Sequence, residues 1–180
     1  INEIQSIVEQ GLELARSLHT SEKASPLDIT AFIESIVDDM QAQGEKVSFS
    51  QTTHSDDFAP LVMARPICLK RSVGNLLSNA VLYANSASIS IKEEGENVLI
   101  CIEDDGPGIP EDLLEKVFEP YYRMEYSRNR ASGGTGLGLA IARNMALLNN
   151  GSISLSNKQE GGLRALMVLS RLHGIGTKHP

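Results

Sequence analysis

The sequence predicts an α+β domain of two layers, a two-layer α/β sandwich in which helices cover one face of a mixed β-sheet, entered through a short N-terminal helix. Three observations point to it. Beyond a break at about residues 20 to 27, segments with apolar residues every three to four positions take turns with segments in which they fall on every second position. Before the break nothing has strand character. Apolar residues make up 41% of 180, enough for one core of ordinary size with a short appendage.

The elements follow in order. Ile4, Ile7, Val8, Leu14, Ala15 and Leu18 form one stripe on a first helix, interrupted on the same face by Gly11, so the segment reads as the end of a longer bundle helix that needs a partner. Ser21 to Pro26 is a polar break. Asp28 is placed to cap a second helix carrying Ile29, Phe32, Ile33, Ile36, Val37 and Met40, which Gly44 ends. Lys46–Gln51 and Leu61–Ala64 read as strands, and Cys68–Tyr83 as a long amphipathic helix. Ala87–Lys92 and Asn97–Glu103 read as a hairpin turning at Gly95. A short helix over Glu111–Val117, a polar loop over Tyr121–Thr135, an apolar helix over Leu137–Leu148 and a strand pair at Ile153–Leu155 and Leu163–Leu169 complete the chain. The expected division is 1–22 as the helix end, 23–173 as the domain and 174–180 as a tail.

Composition narrows the function. With a net charge of -7 there is no broad basic surface for nucleic acid or anionic lipid, so any phosphate chemistry must rest on a local site. Cys68 and Cys101, each in an apolar stretch, fit neither a disulfide framework nor a zinc cluster and are expected as buried core thiols of a reducing cytoplasm. No run approaches a membrane span and the N-terminus does not look like a signal peptide, so a soluble, cytoplasmic chain is expected.

Four clusters carry candidate chemistry. Asn75 and Asn79 lie four apart in NLLSNAVLYA, on one helix face, where amide oxygens suit a hard cation that keeps waters and takes its other ligands from phosphates; two such Asn also read as an ordinary solvated face. In EDDGPGIP, Asp104 ends a strand where its carboxylate can accept from an exocyclic amine, and Gly106 and Gly108 allow close approach of backbone; the same residues make an ordinary turn. In SGGTGLGLAIA, Gly133, Gly134, Gly136 and Gly138 run into a helix start, whose free N–H groups and dipole favour a phosphate. The Lys-Ser/Thr ending of a P-loop is absent there, and helix capping with close packing remains the alternative. In VFEPYYRMEYSRNR, Phe118 can anchor a loop whose Arg123, Arg128 and Arg130 reach for phosphates, though surface arginines are usually only solvated.

Taken in this order, the four clusters resemble the N, first glycine, F and second glycine boxes of the sensor histidine kinase ATP-binding domain, within the gyrase, heat-shock chaperone, mismatch-repair and histidine kinase superfamily with its Bergerat-type fold. The resemblance covers about residues 28 to 170, with the osmosensor-type kinases looking closest through LKRSVGNLLSNAVLYA, EDDGPGIP and TGLGLAIA. It implies ATP and Mg²⁺ as cofactors, with Asp104 accepting from the adenine amine, Asn79 and Asn75 holding metal and phosphates, and Tyr83 lining the adenine pocket. It further implies that Ile109, Phe118, Tyr122, Thr135, Leu137 and Leu139 border the nucleotide beside Gly106, Gly108, Gly134, Gly136 and Gly138. Residues from about 119 to 135 would be the lid over the nucleotide, with Arg123 near the γ-phosphate. The partners implied are the kinase's own dimerisation and phosphoacceptor domain and a response regulator, in a homodimeric full-length protein anchored in the inner membrane.

Water-activating relatives carry Glu at the place of Asn75, and an amide cannot abstract a proton, so slow hydrolysis is expected and the nucleophile must be a partner's imidazole. Two departures stand out. Leu82 replaces the Lys or Arg common in the family three residues after the second Asn, which keeps alive a catalytically degenerate ATP-binding regulatory module. None of His19, His54, His173 and His179 sits in a His-Glu motif followed by proline, so the acceptor histidine is expected outside these residues.

Overall fold

A computed structural model describes residues 11–12, 21–52, 60–124 and 135–172. The N-terminal stripe other than Gly11, all four histidines, Arg128, Arg130, Gly133, Gly134 and the tail lie outside the described residues. The elements are β1 (Ser25–Asp28), α1 (Ile29–Ala42), β2 (Val47–Thr52), β3 (Leu61–Ala64), α2 (Pro66–Ala84), β4 (Ala87–Glu94), β5 (Asn97–Glu103), α3 (Gly138–Leu148), β6 (Ser152–Asn157) and β7 (Leu163–Ser170). Five strands form one mixed sheet in the order β2-β4-β5-β7-β6, with β2 and β4 parallel and the other neighbours antiparallel, as the predicted class requires.

Alternation along the strands decides which face is covered. Ile89 and Ile91 of β4, Ile100 of β5 and Met167 of β7 are fully buried against Ile29 and Ile33 of α1 and Leu69, Val73 and Leu77 of α2. Each such burial contributes about 1.5–3 kcal/mol, so this single layer carries most of the fold's hydrophobic stabilisation. The residues between them, such as Ser88, Lys92 and Arg164, face solvent on the opposite side.

Several expectations hold at the element ends. Asp28 Oδ1 accepts from the Ala31 N–H at 3.0 Å, capping α1, and Gly44 at φ +86 closes its far end. Three others need correction. The chain read as a polar break, Ser21 to Pro26, runs into β1, which pairs antiparallel with β3; Pro26 is tolerated there because β1 is an edge strand. The short helix expected at Glu111–Val117 is two 3₁₀ turns, Glu111–Leu113 and Lys116–Phe118. Val117 must enter a small cluster with Ile109 and Leu163 while its neighbour Phe118 enters the main core, and Pro120 opposes helical continuation. Cys68 is buried as expected, but Cys101 is only half-buried, because the β5 register turns it to the open face between Ser90 and Leu166.

The start of α2, which has no side-chain cap of its own, is capped from a distance. Glu22 accepts from the Ile67 N–H at 2.7 Å and the Cys68 N–H at 3.1 Å. Arg65 in turn donates to the carbonyls of Glu22 and Leu148, and its backbone N–H to Asn149 Oδ1 at 2.6 Å. Further along, the buried Ser72 hydroxyl donates to the Ala142 carbonyl at 2.7 Å. These bonds fix α2 and α3 side by side.

Candidate functional site

One pocket opens along α2. Asn75, Asn79, Leu82 and Tyr83 line it from the helix, Asp104, Gly108 and Ile109 from the loop after β5, Tyr122, Arg123 and Met124 from the segment after Phe118, and Thr135, Gly136, Gly138 and Leu139 from the start of α3. Asn75, Asn79 and Tyr83 repeat every four residues, so they present successive turns of one face and span about 12 Å along the axis at 1.5 Å per residue. The pocket therefore has two chemically different ends.

At the Tyr83 end lies Asp104, 8% exposed. Its Oδ1 accepts from the Gly106 N–H at 2.8 Å and the Leu163 N–H at 3.3 Å, and no described residue bonds Oδ2, which leaves that oxygen as an acceptor. Burial pushes the Asp104 carboxyl above the usual carboxylate range, against the two backbone donors and Lys158, which hold it down. Gly106 lies behind this carboxylate rather than in the pocket lining: a Cβ there would sit 2.9 Å from Asp104 Oδ1 and 3.4 Å from the Ala84 methyl.

At the other end Asn75 meets α3. Its Nδ2 donates to the Arg71 carbonyl at 3.0 Å, turning Oδ1 outward to a point 3.4 Å from where a Cβ on Gly138 would lie. The first turn of α3 has no side-chain cap, so its N–H groups face the pocket mouth without a competitor from their own cap residue. The side-chain amide of Asn79, between the two ends, makes no hydrogen bond among the described residues. Gly136 has φ +75, and a Cβ there would come within 2.9 Å of the Tyr121 and Tyr122 backbone, so only glycine lets the α3 start and the Tyr121–Arg123 segment touch.

The structure brings together most residues singled out from sequence, and sets others apart. Phe118 is not in the lining: it is buried in the main core under the Arg143 guanidinium, 4.3 Å from its ring centroid, and so anchors the chain leading to Tyr122 and Arg123. Leu137 is fully buried with Cys68, Ile141 and Met145 instead of facing the pocket. Gly134 lies outside the described residues. Leu163, Val117 and Met124 line the pocket without having been singled out. Leu163 reaches Asp104 through pairing of β5 with β7, 59 residues apart in sequence, which no local pattern reveals.

A two-layer domain with an acidic acceptor at one end of a helix-lined pocket and an uncapped, glycine-rich helix start at the other defines the class of nucleotide-binding α+β domains. The chain belongs to the family described as histidine kinase-, DNA gyrase B-, and HSP90-like ATPase, whose model matches residues 64–173. It is 34% identical over 172 residues to the sensor histidine kinase GtrS of Pseudomonas aeruginosa, which covers 96% of this chain and 34% of that protein. Among solved structures it resembles the ATP binding domain of PrrB from Mycobacterium tuberculosis, at 26% identity and TM-score 0.65 over 84% of this chain and 99% of that one. Full-length ShkA, solved in complex with AMPPNP, shares the fold at 20% identity and TM-score 0.72, covering 93% of this chain and 36% of that one. The chain spans about a third to two fifths of the length of the curated relatives it matches.

Proposed function

We propose that this chain binds Mg-ATP and acts as the catalytic domain of a two-component sensor histidine kinase, giving the γ-phosphoryl group to a histidine of a dimerisation and phosphoacceptor domain outside these residues, from which a response regulator takes it. The observation that supports this most is the polarity of the pocket: a buried carboxylate with a free acceptor oxygen beside Tyr83, and amides plus uncapped N–H groups about 12 Å along α2 beside Asn75. An adenine amine suits the first end and a phosphate chain the second.

Asn79, with an amide that nothing described engages, and Asn75, with its Oδ1 outward, fit a hard cation that asks few protein ligands. Bound there with ATP, Mg²⁺ would offset phosphate charge. Arg123 adds a cation in the lining, and the α3 start adds oriented N–H groups, so the site orients the triphosphate and stabilises charge during transfer. Neither Asn75 nor Asn79 can accept a proton from water, which leaves the incoming imidazole to supply the nucleophile. Residues 1–22 would be the end of the dimerisation helix of a homodimer, and 23–173 the catalytic domain. No described helix is long and apolar enough to cross a membrane; a cytoplasmic position, with the full-length protein anchored elsewhere in its chain, is part of the proposal.

One observation favours a second reading. Leu82, apolar, lines the pocket where a basic residue is expected, which suits a regulatory module that binds ATP without transferring phosphate. Label transfer from γ-labelled ATP to an isolated dimerisation domain separates the two: transfer supports the kinase, and ATP binding with no transfer supports the module. Calorimetry of Mg-ATP binding tests the pocket itself, and an unmodified chain that binds no ATP would refute both readings.

A further inference from the structure

We propose that Asn157, which is not in the pocket lining, is the positioning residue that sets the pocket's preference for an adenine base; the inference rests on the ATP-binding reading above. Asn157 is the last residue of β6, the edge strand, opposite Leu163 of β7. Its side-chain amide closes on two residues of the chain after β5, Ile109 and Glu111. Oδ1 accepts from the Ile109 N–H at 2.9 Å, and Nδ2 donates to the Ile109 carbonyl at 2.7 Å and to Glu111 Oε1 at 3.0 Å. The side chain thus pairs with Ile109 as a neighbouring strand's peptide would, although no strand extends there.

Gly108 is fitted to this clamp. It has φ +70, and a Cβ there would stand 2.5 Å from Asn157 Oδ1, so the amide fills the space that a side chain at 108 would need. Ile109, 7% exposed, lines the pocket with Leu163. Leu163 also gives Asp104 Oδ1 one of its two N–H donors, and Lys158, next to Asn157, donates to the Asp104 carbonyl at 3.1 Å and to Asp105 at 2.7 Å. One hairpin, Asn157 to Leu163, therefore holds the carboxylate that would read the base and the Ile109 wall beside it. Releasing Ile109 leaves Asp104 in place but widens the slot, so a planar base is no longer pressed into line with the carboxylate.

A 6-amino purine donates to Asp104, and a 6-oxo purine cannot, so the ratio of ATP to ITP affinity reads this alignment while the ratio of ATP to ADP affinity reads the phosphate end. We would titrate the unmodified chain, Asn157→Asp and Asn157→Ala with all three nucleotides by calorimetry. Losing the two amide donor bonds is expected to lower the ATP-to-ITP preference roughly tenfold and to leave the ATP-to-ADP ratio unchanged. Asn157→Asp should suffer more, since its carboxylate turns against the Ile109 carbonyl and Glu111. Asn157→Ala adds no charge and carries the comparison where the first variant does not fold. Equal losses for ATP and ITP would mean a merely structural residue and overturn the inference, as would an unchanged ratio or an unmodified chain that binds ATP and ITP alike. An unmodified chain that binds no nucleotide overturns the underlying reading, and the inference with it.

Discussion

Asp104 shows how a single residue can work against the stability of its own fold. Burial raises its folded-state carboxyl above the value it has in the unfolded chain, so the ionised form is penalised; the penalty is absent below both values, grows as pH rises from the unfolded value to the folded one, and is complete above it. Asp104→Asn keeps an oxygen for the Gly106 and Leu163 N–H groups while removing the charge. The variant is expected to melt at a higher temperature than the parent at pH above the folded value, with the gap closing as pH falls toward the unfolded one, while ATP affinity falls at least roughly tenfold. Melting curves and calorimetry at each pH check both halves. Asn79→Ala, by contrast, should leave the melting temperature close to the parent's, because the amide bonds nothing described, and should make ATP binding insensitive to added Mg²⁺. Both residues were legible in the sequence because each stands in a short motif. Asn157 was not: its partner Ile109 is 48 residues away, and its amide has no local pattern to betray it.

Among the elements, α2 depends on a cap that it does not contain, while α3 starts without a side-chain cap. Glu22 supplies the missing cap of α2, and Glu22→Ala is expected to cost about 1 kcal/mol, read as a lower denaturant midpoint at an unchanged slope. At the other helix start, Gly136→Ala would force a Cβ into the Tyr121 and Tyr122 backbone at a φ of +75. It should weaken ATP binding more than it lowers stability, since the contact it breaks joins the pocket's mouth and not the core. The helices themselves were readable from apolar spacing, to within a residue or two at most ends. Phe118 illustrates the limit of a motif: its position in the order of boxes was clear, but whether its ring faced the pocket or the core depended on how two consecutive 3₁₀-turn residues divided between two clusters.

For the whole molecule, the small β1–β3 sheet joins the chain before α1 to the start of α2. Removing residues 1–20 should shift the melting temperature by only a few degrees, because Glu22 and β1 remain. Removing residues 1–28 takes away the Glu22 cap, the Asp28 cap and the partner of β3 together, and is expected to abolish the cooperative transition or lower it far more. Thermal melts of the two truncations side by side decide it.

The sequence by itself determined the class of fold, most elements and the four motifs, because apolar periodicity and the residue preferences of turns and helix starts are local properties of a few consecutive side chains. Only the tertiary structure decided that β2 lies parallel to β4, that Cys101 faces outward, that Leu163 bonds Asp104 and Asn157 bonds Ile109, and that Phe118 and Leu137 turn into the core. Strand register and side-chain reach between segments far apart in the chain depend on which surfaces bury best together, and that competition is settled by the whole core at once.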